Sequence, residues 1–266
     1  MIVIKFGGHA MTDTEGLFAR AVQGALDLGE DCIVVHGGGP QIDAALKVEK
    51  IESEFKGGFR VTSPETFTVV QRVLSGQVLR SVVAQLRGTG LNAVGLTGRD
   101  GGMLIAKRQT QLVNGTEVDL GQVGEIVRVD TAILESLIES GFLPVVSPIA
   151  TQGDETHEDS GTGLNVNADL AAAAIAGAMG AASLIFMTDV PGIYKNWPDT
   201  SSLISTIHAD ELDSIKDQFS EGMAPKVSAS LKAIKDGAQC VRVIDGRDPE
   251  SFALALRGIG GTLVLP

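Results

Sequence analysis

Cys32-Ile33-Val34-Val35-His36-Gly37-Gly38-Gly39-Pro40 is a short apolar run closed by three glycines and a proline. An apolar run of this length reads as a strand buried on both faces. The glycines let backbone N–H groups approach a ligand, and Pro40 suits the first helical position, so strand passes directly into helix. The same plan stands upstream, where Ile2-Val3-Ile4-Lys5-Phe6 runs into Gly7-Gly8. A lysine here is either an edge-strand gatekeeper or the cation of an anion site, and the two glycines favour the second. Both turns fall at the carboxyl ends of parallel strands, where open α/β sheets take their ligands. Neither is G-x-G-x-x-G or G-x-x-x-x-G-K-[ST], so the dinucleotide and P-loop fingerprints are absent.

Working outward, strands are predicted at Ile2–Phe6, Cys32–His36, Ala93–Leu96, Leu104–Lys107, Pro144–Ser147, Ser183–Met187, Val241–Ile244 and Thr262–Leu265. Helical patterns alternate with them, which predicts an α/β fold, a three-layer αβα sandwich with a mostly parallel central sheet. The first helix is expected to open on a capping box at Thr12-Asp13-Thr14-Glu15 and to end at Gly29. Turn signals from Leu96 to Glu125 predict added antiparallel strands. No boundary divides the chain cleanly, so two lobes of one continuous sheet are expected. The segment Gln152–Gly163, with Asp154, Glu155, His157, Glu158 and Asp159, reads as a solvated acidic loop, with a metal site as the alternative. Leu170–Met187 is uncharged and long enough to suggest a membrane span, but Gly177 and Gly180 divide it into a buried helix, Leu170–Ala178, and a strand.

Composition bounds the function. A net charge of −12 argues against a nucleic-acid backbone as partner. Cys32 and Cys240 form no Cys-x-x-Cys pair, so they read as reduced and core-packed rather than as zinc ligands. The N-terminus lacks the pattern of a signal peptide, which leads to an expected cytoplasmic location.

Further positions bear on chemistry. Pro225 at the first position of a helix puts Lys226 in its first turn, where the macrodipole disfavours a cation by about 0.3–1 kcal/mol. Either solvent absorbs that cost, or a bound anion shared by lysine and helix end reverses it. Asn167 is a ready N-cap for the alanine-rich helix. Asp169 at the mouth of so apolar a segment needs cations or donors, and Lys5 and Lys226 are the candidates. Arg60, in a glycine-bounded loop, either clamps a carboxylate or makes a surface ion pair. Tyr194 and Trp197 are the only residues of their kinds and read as base-stacking or as loop packing. His9 and His36 flank the glycine turns and read as hydrogen-bonding wall residues.

The strings KFGGHAM, VVHGGGPQID, GGFRVT, DLGQVGEI, NVNAD, MTDVPGIY and EGMAPKV, in this order, resemble the amino acid kinase family over nearly the whole chain. GGFRVT and NVNAD are most similar to its N-acetylglutamate kinase branch. The resemblance implies one amino acid kinase domain over 1–266. Its N-lobe, about 1–178, would bind the acceptor and mediate dimerisation; its C-lobe, about 179–266, would bind ATP. It implies Lys5 and Lys226 as catalytic cations held by Asp169. Gly38, Gly39, Arg60 and Asn165 would bind N-acetyl-L-glutamate, and Gly8, Thr188, Asp189, Gly192, Ile193 and Tyr194 the nucleotide. Mg²⁺ would travel with ATP, without a named protein ligand. The implied reaction is phosphorylation of the side-chain carboxylate of N-acetyl-L-glutamate, a step of arginine biosynthesis. Two rivals stand beside it: a kinase of carrier-linked aminoadipate or glutamate in lysine biosynthesis, and a non-catalytic nucleotide or amino-acid sensor. The acidic stretch before NVNAD is longer than the family's. The direct start on a strand leads to an expected homodimer, paired through the apolar helix around Val69 to Leu86 and insensitive to arginine.

Overall fold

A computed structural model describes residues 1–7, 16–112, 115–154, 156–219, 223–248 and 250–266, with 158–160 described in backbone alone. The strands are β1 (Ile2–Phe6), β2 (Cys32–His36), β3 (Phe55–Lys56), β4 (Phe59–Arg60), β5 (Ala93–Thr97), β6 (Leu104–Arg108), β7 (Val123–Val129), β8 (Leu143–Ser147), β9 (Ile149–Gly153), β10 (Glu158–Val166), β11 (Ser183–Thr188), β12 (Thr206–His208), β13 (Val241–Asp245) and β14 (Thr262–Leu265). The α-helices are α1 (Leu17–Asp27), α2 (Gly39–Val48), α3 (Pro64–Gln71), α4 (Leu79–Gly88), α5 (Ala132–Glu139), α6 (Ala168–Ala178), α7 (Ala209–Ser214), α8 (Ala224–Lys235) and α9 (Ser251–Leu256). Eight strands form one sheet in the order β12-β14-β13-β11-β1-β2-β8-β5, parallel throughout except between β13 and β14. Every predicted strand is present, with ends moved by a residue at most.

Alternation along β1 builds the layers. Ile2, Ile4 and Phe6 pack with α1, α2, α9 and the helical stretch 64–88 on one face; Val3 packs with α6 and α8 on the other. Asn167 caps α6 as expected, its Oδ1 accepting from the Asp169 N–H at 2.8 Å and the Leu170 N–H at 3.2 Å. Small residues bring α6 and α8 together: a Cβ at Gly177 would lie 2.4 Å from Asp236 Cβ. The uncharged run is therefore α6 followed by β11, and no helix among the described residues is long and apolar enough to cross a membrane.

One reading changes. The acidic stretch Gln152–Gly163 is not a loop: it is mostly β9 and β10, which close a four-stranded barrel with β6 and β7. Between them the Thr156 and His157 N–H groups donate to Asp154 Oδ1 at 2.7 and 2.8 Å; Glu155 and the side chains of Glu158 and Asp159 lie outside the described residues. The pairing partners are remote in sequence, so local polarity misled. The capping box expected at 12–15 lies outside the described residues; α1 begins at Leu17, after Gly16 in left-handed conformation. The apolar residues from Val69 to Leu86 point into the chain's own core, on a helix that widens to π-helical geometry over Arg72–Val78 between α3 and α4. Its outer face is polar (Arg72, Gln77, Arg80, Ser81).

The end of α2 shows what a left-handed cap costs. The Ile51 N–H donates to Leu46 O at 2.9 Å and the Lys50 N–H to Lys47 O at 3.2 Å, a Schellman arrangement with Ile51 packed near Leu46. It requires φ 58° at Lys50, which carries a Cβ and is exposed. Lys50→Gly should raise unfolding stability by about 0.5–1 kcal/mol in urea titration; an unchanged or lowered midpoint would show that the cap is not under strain.

Candidate active site

Three parallel strands deliver their carboxyl ends to one edge of the sheet: β1 with Lys5 and Gly7, β2 with Gly37 and Gly38, and β11 with Thr188. Three helices, α2, α6 and α8, start at that edge, so their free N–H groups and positive dipole ends converge. Pro40 and Pro225 each occupy the second helical position rather than the first, one residue inside the expected start.

The centre is a charge triad. Asp169, in the first turn of α6 and almost fully buried, has Lys5 Nζ 3.1 Å from Oδ1 and Lys226 Nζ 3.2 Å from Oδ2. The Lys226 contact is a hydrogen bond; the Lys5 contact is an ion pair outside hydrogen-bonding angles. Burial pushes the Asp169 carboxyl up, but Lys5 and then Lys226 outweigh it and hold the group below the usual carboxylate range. Gly7 makes room for this: a Cβ there would meet Lys5 Nζ at 2.9 Å.

Two cavities meet at the triad. The first, about 290 Å³, is lined by Lys5, Gly38, Gly39, Arg60, Asn165 and Asp169. Gly38 abuts the π-helical segment so closely that a Cβ would stand 2.7 Å from Leu74 Cδ2. Arg60 is buried; its Nη1 donates to Asp43 Oδ1 at 2.6 Å and to Ser53 Oγ, its Nη2 lies 3.5 Å from Gly39 O, and its guanidinium covers the Phe55 ring at 4.5 Å. The Arg60 hydrogen bond holds the Asp43 carboxyl below its ordinary pKa. Asn165 donates to Thr62 Oγ1 at 3.2 Å, and Thr62 to Arg60 O at 2.7 Å, which links the floor to the β3–β4 hairpin.

The second cavity, about 680 Å³, is lined by Lys226 at one side and by Thr188, Asp189, Tyr194, Trp197 and Phe219. Thr188 Oγ1 donates to Val190 O at 2.8 Å and accepts from the Val190 N–H at 3.2 Å, closing the turn after β11. Tyr194 and Trp197 meet edge to face, centroids 5.3 Å apart. Gly192 and Ile193 do not line this space. Ile193 is fully buried with its N–H on Thr262 Oγ1 at 2.8 Å, and Gly192 packs against the same hydroxyl. Gly8 and His9 lie outside the described residues.

Asp43, Ser53 and Phe55 were missed. A signal existed for Phe55: Gly57-Gly58 between Phe55-Lys56 and Phe59-Arg60 is a two-residue hairpin loop, and both glycines have the positive φ (53° and 84°) such a loop demands. Nothing local points to Asp43 or Ser53, which reach Arg60 only through the fold.

Comparisons with known proteins place the chain in a family. The model of the amino acid kinase family matches residues 1–245. The chain is 47% identical over 274 residues to an acetylglutamate kinase of Paenarthrobacter aurescens, covering 100% of this chain and 86% of that one. It is 44% identical to one of Streptomyces griseus, covering 100% and 85%. Among solved structures, a carbamate kinase from Giardia lamblia bound to AMP-PNP shares the fold, with TM-score 0.72, 18% identity and coverage of 99% and 97%. The chain belongs to the amino acid kinase family.

Proposed function

We propose that this chain phosphorylates the side-chain carboxylate of N-acetyl-L-glutamate with ATP, the first cavity taking the acceptor and the second the nucleotide. The observation that carries this is Asp169 between Lys5 and Lys226 where the two cavities meet. Full-length similarity to acetylglutamate kinases supports the choice of acceptor. In this reading the acceptor-binding lobe runs to about residue 178, and β11 begins the ATP lobe.

The acceptor carboxylate, with a reference pKa of about 4.3, is ionised at neutral pH, so no general base is required. Two anions must instead be brought together, and the transition state spreads charge over the phosphoryl oxygens. Two lysines and one aspartate leave a net charge of +1 at the junction (+2 − 1), to which the N-termini of α2, α6 and α8 add partial positive charge. Arg60 offers its remaining N–H groups to an acceptor carboxylate, since Asp43 and Ser53 occupy Nη1. Gly192 and Ile193 would support the nucleotide loop from behind. Mg²⁺, which would neutralise phosphate charge, fits as a companion of ATP: Asp169, the carboxylate at the junction, is already held by both lysines. A cytoplasmic homodimer belongs to the same reading; pairing through residues 64–88 would use their polar outer face.

ADP release should depend on N-acetyl-L-glutamate, and hydroxylamine should trap an acyl phosphate; equal release with aspartate as acceptor would contradict the reading. Lys226→Ala should lower kcat by about 10²–10³-fold while shifting either KM by less than about 3-fold, because this cation acts chiefly in the transition state. Steady-state kinetics showing near-native turnover in that variant would reduce Lys226 to a solvated first-turn lysine.

A further inference from the structure

The mechanism so far leaves one fully buried polar ring unused. His36, the last residue of β2, is inaccessible to solvent, and its Nδ1 lies 2.8 Å from the carbonyl oxygen of its neighbour Gly37. Burial, and more weakly the Arg80 guanidinium, push its pKa down to about 4 against the opposing pull of that carbonyl, so the ring is neutral at pH 7. A neutral imidazole carries one N–H, and a carbonyl only accepts, so the proton sits on Nδ1. Nε2 is then a bare acceptor, closed off from solvent and without a partner among the described residues. An apolar side chain of similar size would fill this place without leaving an acceptor unsatisfied. The contact of Nδ1 with Gly37 is therefore what the imidazole supplies.

The consequence lies on the other side of one peptide plane. In a trans peptide the carbonyl and the following N–H point in opposite directions. Register pairs Phe6 with His36 and Lys5 with Val35, so His36 and Lys5 lie on opposite faces of the sheet. Drawing the Gly37 carbonyl toward His36 turns the Gly38 N–H toward the Lys5 side, where Gly37, Gly38 and Gly39 line the first cavity. The Gly38 and Gly39 N–H groups have no hydrogen-bond partner among the described residues. Gly38 is flanked by Leu74 of the π-helical segment, where a Cβ would stand 2.7 Å from Leu74 Cδ2. The peptide plane is a further freedom, and His36 removes it.

We propose that His36, as the Nδ1–H tautomer, is a positioning residue that locks the Gly37–Gly38 peptide with the Gly38 N–H aimed at the phosphoryl group in flight. This rests on the reading of the first cavity as the acceptor side of a phosphoryl transfer. The effect belongs to the transition state, because a pre-aimed donor stabilises charge that develops only there.

Two side chains of like polarity separate positioning from packing. In His36→Asn the amide nitrogen takes the place of Nδ1 and still donates to Gly37; in His36→Gln it takes the place of Nε2 and does not. The Asn variant should keep kcat within about 3-fold of native, and the Gln variant should lose about 10–100-fold in kcat with either KM changed less than about 3-fold. Equal impairment of the two, or a Gln variant with native kcat, would overturn the proposal. A measurement on the native protein needs no variant to fold: nitrogen-15 spectra of labelled histidine at pH 7 should show His36 protonated at Nδ1 and bare at Nε2, and the reverse tautomer would overturn it. Should the native chain form no ADP in response to N-acetyl-L-glutamate, the proposed function falls. The ring tautomer then decides by itself whether His36 holds the peptide.

Discussion

A single carboxylate, that of Asp169, holds two lysines from different parts of the chain, and the site depends on it. Lys5 arrives on the first strand, Lys226 on the first turn of α8, and Asp169 stands between them in the first turn of α6. Each charge alone would be costly in so buried a place: removing one partner of a buried ion pair typically costs about 3–5 kcal/mol. Together they satisfy one another, and the N-terminus of α6 adds a favourable field for the carboxylate. Lys226 is the exception, since its own helix end disfavours it; Asp169 offsets that disadvantage and, in the proposed function, keeps the cation where a phosphate would meet it.

The fold brings these groups within 3.2 Å of one another by packing small residues where helices must approach. Ala171, Ala172, Ala173 and Ala176 of α6 are fully buried, and Gly177 touches Asp236 at the far end of α8. The crossing of α6 and α8 therefore fixes the distance between their first turns. On the opposite face, the helical stretch 64–88 braces the glycine turn after β2, with Leu74 against Gly38. The widening at Arg72–Val78 lies at the same contact, consistent with the tendency of π-helical geometry to occur at functional sites.

Much of this was legible in the order of residues. Buried parallel strands announce themselves as β-branched runs, and β1, β2, β8, β11 and β13 were read within a residue of their ends. The Asp169–Lys5–Lys226 set was legible too, because an acid at the mouth of an alanine helix and a lysine in a first turn each lack a local partner. The barrel strands β9 and β10 were not, since their polarity resembles a loop until remote partners satisfy their backbones. Nor were Asp43 and Ser53, which are ordinary surface residues until the β3–β4 hairpin folds Arg60 onto them. The apolar periodicity from Val69 to Leu86 reports a buried face, and that face is turned to the chain's own core.

The central claim is that Asp169 acts through the two lysines and not as a base. A mutant cycle on kcat, with Asp169→Asn, the joint Lys5→Ala and Lys226→Ala replacement, and their combination, measures that directly. If Asp169 only places the lysines, the combined variant should fall no more than about 3-fold below the worse of the other two, the non-additivity expected of groups that work as a unit. Losses that multiply, each variant contributing its full factor in the combination, would mean that Asp169 has a task of its own and would contradict the account.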